Sequence, residues 1–187
     1  MTDPIQTPAG TPASTLKPDR PQALAGSWRL DPQASHARFV ARSAGGLMRT
    51  PGAFGSLSGG LSLDDDRAVG ALVIDVASID TGNRLRDRHL RSGDFFNVHR
   101  HPELRYTVRA LTAQAPDTIR IDGELLVAGT RTPLALDASL RALTVDVIKL
   151  GCRIQVDRIA LGVRGARGVV PRTVQIDVGV VLRRETI

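Results

Sequence analysis

Residues 70–110 read GALVIDVASIDTGNRLRDRHLRSGDFFNVHRHPELRYTVRA: two alternating apolar stretches joined by a segment that alternates nothing. From Gly70 to Ile79, Leu72, Ile74 and Val76 share one side while Asp75 faces away; later, Leu104, Tyr106 and Val108 oppose Arg105, Thr107 and Arg109. A period of two predicts strands with one buried face. Between them, Leu85 and Leu90 among arginines and Asp87 fit a short helix, with Thr81 or Asn83 as its N-cap. Gly93 breaks that helix, and Asp94 can cap a further turn carrying Phe95 and Phe96. A charged linker that ends in paired aromatics reads as a lid, its rings packed down and its guanidinium groups wet.

The same alternation recurs on either side. Trp28 opens the folded part, and His36 to Arg42 places Ala37, Phe39 and Ala41 together. Phe54 to Leu63 reads as a strand interrupted by Gly59-Gly60, and Asp64-Asp65-Asp66 as a solvated turn. Ile121 and Leu125 share the inner face of the next strand after Tyr106, and Leu134 and Leu136 follow beyond a turn at Gly129-Thr130-Arg131-Thr132-Pro133. Ile154, then Ile176 and Val178, mark the last two. About eight strands, short turns and no long helix predict an all-β chain whose extended antiparallel sheet closes into a barrel, with a short helical lid between two strands.

Length and composition fit one domain. The chain has 187 residues, 42% of them hydrophobic and 24% charged, which excludes a largely disordered or membrane-spanning protein. Its opening residues hold Pro4, Pro8, Pro12, Pro18 and Pro21 among Thr, Ala and Gly, with neither a basic start nor an apolar run. Residues 1–26 are expected to be a disordered tail and 27–187 the barrel domain, and cytoplasmic residence is the expectation. Cys152, the lone cysteine, has no internal partner and reads as a core thiol. The net charge of +6 rests almost wholly on arginine, concentrated in residues 84–109 and 158–172. Such patches suit an anionic headgroup, a membrane surface or a nucleic acid, but 3% aromatics and no nucleic-acid motif argue against specific nucleic-acid recognition.

Several motifs together resemble the YceI-like family of lipocalin-like, polyisoprenoid-binding barrel proteins. They are Ala77-Ser78-Ile79-Asp80-Thr81-Gly82-Asn83, Arg86-Asp87, His89-Leu90, Asp94-Phe95-Phe96 and His101-Pro102, together with Trp28-Arg29-Leu30-Asp31-Pro32, Ser35-His36 and Phe39. The late segment Asp157-Arg158-Ile159-Ala160-Leu161-Gly162 is similar to a family motif in which an aromatic is usual where Leu161 stands. The resemblance implies a barrel that holds a long isoprenoid, a prenyl quinone or prenyl phosphate, for storage, transport or sequestration, with stress-response roles among its associations. Relatives are often periplasmic, and the resemblance allows pairing as a homodimer.

On that reading the cavity lining is Phe39, Leu72, Ile74, Val76, Phe95, Phe96, Tyr106, Val108, Ile121, Leu125, Leu136, Ile154, Ile176 and Val178. Arg84, Arg86, His89 and Arg91 are the headgroup candidates. No catalytic residue, metal or cofactor is expected beyond the bound isoprenoid or quinone. Asp87 and His89, two apart on a helix, point to different sides, so they and Ser92 form no triad. His99 and His101 lack a third ligand. Two other readings stay open: an enzyme that acts on a bound hydrophobic substrate through His89 or His36, and an interaction module whose basic loops dock a protein or nucleic acid.

Overall fold

The computed structural model describes residues 24–43, 48–64, 68–165 and 170–185. The strands are β1 (Gly26–Leu30), β2 (His36–Ser43), β3 (Met48–Phe54), β4 (Leu57–Leu63), β5 (Ala68–Asp75) and β6 (Ile79–Asp80), then β7 (Glu103–Ala115), β8 (Thr118–Val127), β9 (Thr130–Thr144), β10 (Val147–Asp157) and β11 (Thr173–Arg184). Helix α1 (Arg84–Arg91) stands between β6 and β7. Every pairing is antiparallel, in the order β1-β4-β5-β7-β8-β9-β10-β11-β2-β3-β6, and a β1–β11 ladder closes the ring.

Eleven segments make eight staves, because three staves are each broken once. The first half of β11, Val174–Gly179, pairs with β2, and its last residues, Leu182–Arg184, pair with β1. β3 and β4 likewise succeed one another beside β6 and β5. The expected single strand from Phe54 to Leu63 is therefore two, broken at Gly55-Ser56 and not at Gly59-Gly60. Gly60 lies within the ladder, where a Cβ would come within 2.6 Å of the Trp28 carbonyl oxygen. β3 escapes the alternation rule because Pro51 and Gly52 interrupt its pattern.

One end of the barrel is filled. Leu24, Trp28, Leu30, Leu57, Leu61, Ile148 and Leu182 form a buried cluster there, with Val108, Leu111, Leu140 and Val180 against it. Trp28 is 2% exposed, its Nε1 donates to the Leu24 carbonyl at 2.8 Å, and the Arg184 guanidinium lies 4.3 Å from its ring centroid. Leu24, which the expected boundary at residue 27 leaves to the tail, belongs to this cluster. The remainder of the proposed tail, residues 1–23, lies outside the described residues, as do residues 45–46 of the expected loop and residues 65–66 of the acidic turn.

The other end parts. The β9–β10 ladder runs from Thr144/Val147 only to Ser139/Gly151, while β10 stays paired with β11 as far as Asp157 and β9 with β8 as far as Thr130. Opposite, β6 pairs with β3 alone, and α1 follows before β7 begins. Below Ser139 the wall parts into β5-β7-β8-β9 on one side and β10-β11-β2-β3-β6 on the other, facing each other.

Trp28→Ala removes the keystone of the filled end. A loss of about 3–5 kcal/mol is expected, read as a lowered urea midpoint with an unchanged slope.

Candidate functional site

Between the two sheets lies a cavity of about 820 Å³ whose walls are almost wholly apolar. Leu72 and Ile74 (β5), Tyr106 (β7), Leu125 (β8) and Leu136 (β9) line one side. Phe39 (β2), Ile154 (β10), Ile176 and Val178 (β11) line the other. Phe95 and Phe96 close it from the lid. All four phenylalanines of the chain meet here, since Phe54 joins them: its ring centroid lies 5.8 Å from that of Phe39 and 6.2 Å from that of Phe96, the latter pair edge to face. The Phe39 ring lies flat over Gly52, where a Cβ would come within 2.3 Å of it.

The lid is held by polar contacts that leave its apolar side to the cavity. Asn83 is the N-cap, its Oδ1 accepting from the backbone N–H of Leu85 and of Arg86 at 3.1 Å each. Asp87, only 6% exposed, accepts from the Thr81 hydroxyl at 2.6 Å and from its N–H at 3.0 Å. Arg86 donates from Nε to Thr81 Oγ1 and from Nη2 to the Thr81 carbonyl, both at 2.8 Å. Arg91 donates to the carbonyls of Ala77 and Ile79 at 2.9 and 2.6 Å. Together these staple α1 onto residues 77–81. Ser92, not Asp94, organises the following turn, its carbonyl accepting from the N–H groups of Phe95 and Asn97. Asp94 instead lies 3.6 Å from His89 Nε2, and the His89 ring packs edge-on against Phe95 with centroids 5.0 Å apart.

At the lid end, just past β10, Arg158 is 6% exposed and donates to the carbonyls of Val163, Pro171 and Val170 at 2.7–2.9 Å. Its guanidinium lies 5.9 Å from the Phe95 centroid, so one buried cation ties the loop after β10 to the lid aromatic. Inside, the Tyr106 hydroxyl lies 3.0 Å from the Ile121 carbonyl oxygen and 2.9 Å from that of Leu134, spanning β7 to β9. Burial pushes its pKa up to about 12. Burial also raises the Cys152 thiol, which lines the cavity and stays protonated and unreactive.

Chain-wide comparison agrees with this architecture. Residues 28–182 match the model of the YceI-like domain. The chain belongs to the YceI-like family. Relatives include a UPF0312 protein of Photorhabdus laumondii, 30% identical over 70% of each chain, and one of Pectobacterium carotovorum, 32% identical over 63% of each. The match thus spans less than two thirds of the Pectobacterium relative's length. Among solved structures, Burkholderia cenocepacia BcnA superposes with a TM-score of 0.73 over 81% of this chain and 98% of that one, at 19% identity. A polyisoprenoid binding domain from Saccharophagus degradans gives 0.72 over 84% and 98%, also at 19% identity, a likeness of fold.

Within this YceI-like barrel, three expected lining residues do not reach the cavity. Val76 sits in a 3-10 turn capped by Asp75, where the strand alternation ends, and is buried behind the wall. Val108 packs into the filled end, and Ile121 into the cluster of Tyr106, Ile119 and Ala138 above the cavity. The β7–β8 register slips between Val108 and Ala110, so Leu111 takes the next inward place. Of the headgroup candidates, Arg86 and His89 line the mouth, whereas Arg84 and Arg91 stand on the far side of α1, beside Asp80 and His99. The helix sets that division, since residues 85, 86, 89 and 90 share the inner stripe.

The chemistry-bearing pairs do not assemble. Asp87 is turned to Thr81, Ser92 Oγ donates to the His89 carbonyl at 2.7 Å, and His36 lies against Asp177 at 3.0 Å away from the cavity. Among the described residues no three His, Cys, Asp or Glu side chains gather as metal ligands, and His101 packs against Gly129. Sequence reading missed Phe54, Leu134, Cys152 and Arg158 as lining residues. Arg158, set between Asp157 and an apolar run, was the most readable of these.

Because Tyr106 is the only tyrosine, ultraviolet titration of the folded protein reads it alone. Its midpoint is expected near 12. The folded pKa exceeds the ordinary value of about 10, so the stability Tyr106 contributes is complete below that pH and lost as the pH rises toward 12. Tyr106→Phe removes this alkaline slope in urea titrations.

Proposed function

We infer that this chain takes up a long, flexible apolar ligand of isoprenoid type, a prenyl quinone or prenyl phosphate, and carries or sequesters it without transforming it. The observation that carries the reading is the cavity itself, about 820 Å³ walled by aliphatic and phenylalanine side chains. At the packing density of about 0.74 found in protein interiors, it holds roughly 600 Å³ of ligand, or about 35–40 carbons with their hydrogens. Each methylene taken from water into it is worth about 0.8 kcal/mol, so affinity grows with tail length until the space is full. A branched, kinked tail suits an irregular hollow between two splayed sheets better than a flat, rigid molecule does. Arg86 and His89 stand at the mouth, where a phosphate or quinone oxygen would rest while the tail lies within. The Saccharophagus neighbour is by its name a polyisoprenoid binding domain, which supports the same ligand class here.

Organic extraction of the purified protein followed by mass spectrometry is expected to return a prenyl lipid, and the delipidated protein to take up a prenyl quinone of about eight isoprene units. Cys152→Phe places a ring in the cavity wall and is expected to cut that uptake at least tenfold while the fold, followed by melting, persists. An extract free of apolar ligand together with no uptake of added prenyl compounds would end this reading. Arg86→Gln is expected to weaken binding of a prenyl phosphate and spare the quinone, measured by competition.

A further inference from the structure

The arginines outside the cavity divide by where they sit. On the barrel wall most meet carboxylates, Arg109 and Arg131 on Glu124, Arg153 on Asp177, Arg183 on Asp31, while Arg141 faces Lys149 across β9–β10. At the lid end, Arg42, Arg49, Arg84 and Arg88 are exposed and make no hydrogen bond or ion pair with any described residue. Their arrangement is costly in isolation. Arg42 faces Arg49 across β2–β3, and Arg84 and Arg88 stand one turn apart on α1, both positions where like charges repel. Asp80 shares a groove with Arg84 and Arg88 without forming an ion pair with either, and Asp94 stands 3.6 Å from His89.

Two large apolar side chains are exposed on the same end, Leu85 at 74% and Met48 at 65%. Leu85 also lines the cavity, so this surface and the mouth are continuous. A short helix with guanidinium groups on one stripe and an exposed leucine on another is built for an interface between water and acyl chains. Guanidinium groups bind phosphates bidentately, and each one near an anionic leaflet contributes to attraction. Nucleic acid fits less well, since the surface offers leucine and methionine where base stacking needs exposed aromatics.

We propose that the lid end of the barrel docks on the surface of an anionic lipid bilayer, with Leu85 and Met48 entering the headgroup region and Arg42, Arg49, Arg84 and Arg88 resting on lipid phosphates. The cavity mouth then opens against the membrane, and an apolar ligand crosses between the two without entering bulk water. The docking rests on charge and exposure and stands apart from what fills the cavity.

Co-sedimentation of the full chain with phosphatidylglycerol-containing vesicles, against pure phosphatidylcholine vesicles, tests it. Binding is expected to the anionic vesicles alone and to weaken as salt rises. The R84Q/R88Q variant should lose about thirty-fold in partitioning, with its melting temperature and its uptake of a detergent-dispersed prenyl quinone retained. Leu85→Asp should weaken docking as well. The R141Q/K149Q variant removes the same charge from a cross-strand pair near the filled end and should bind as the parent does. Equal binding to both vesicle types, binding to neither, or equal losses in the two double variants would overturn the proposal. Salt-sensitive retention on duplex DNA without vesicle binding would overturn it in favour of a polyanion. Quinone uptake is measured in the same preparations, so failure of docking and failure of the ligand reading are told apart.

Discussion

A sheet held closed by hydrogen bonds at one end and released at the other is the constraint from which the cavity follows. As far as Ser139 and Gly151, ladder spacing forces inward side chains from opposite staves to interdigitate, and Trp28 and its neighbours fill the space. Past that pair β9 remains with β8 and β10 with β11. Aliphatic side chains that would meet in a fully closed barrel then face each other across a gap they cannot span. Empty apolar space is poorly wetted, which makes it a ligand site rather than a water channel.

Holding such a gap open needs rigid ends, and the chain supplies them with polar contacts placed outside the hollow. Thr81 sits between Asp87 and Arg86, Arg91 takes two carbonyls of the preceding segment, and Arg158 takes three more in the loop beneath Phe95. The arginines are satisfied by carbonyl or hydroxyl oxygens, and Asp87 by the N–H and O–H of Thr81. The lid therefore keeps its shape while its phenylalanines present only carbon to the interior. Tyr106 does the same within the wall, its hydroxyl reaching two strand carbonyls and leaving its ring to the cavity.

Arginine thus performs three tasks in one molecule. Buried, it ties loops through carbonyls; on the wall it mostly pairs with nearby acids; around the mouth it stays exposed. Exposed pairs on the wall contribute little to stability, and their value lies in keeping the barrel surface close to neutral. Four of the arginines without a carboxylate partner, Arg42, Arg49, Arg84 and Arg88, stand exposed at the lid end, where Leu85 is exposed too.

Alternation of apolar and polar residues was enough to establish an antiparallel barrel, its short capped lid helix and most of the wall, from Phe39 to Val178, because the side of a strand on which a residue points depends on neighbours one and two places away. Asn83 as cap and the inward turn of Phe95 and Phe96 were legible for the same local reason. Depth along the barrel was not. Val108 and Ile121 point inward as expected yet lie where the staves are still laced, and Val76 falls where a 3-10 turn replaces the strand. Which arginines face the mouth, where β9 leaves β10, and that Arg158 meets Phe95 beneath the lid are set by contacts between residues far apart in sequence. Only tertiary structure decides such distances, because a pattern records direction while a cavity is a matter of separation.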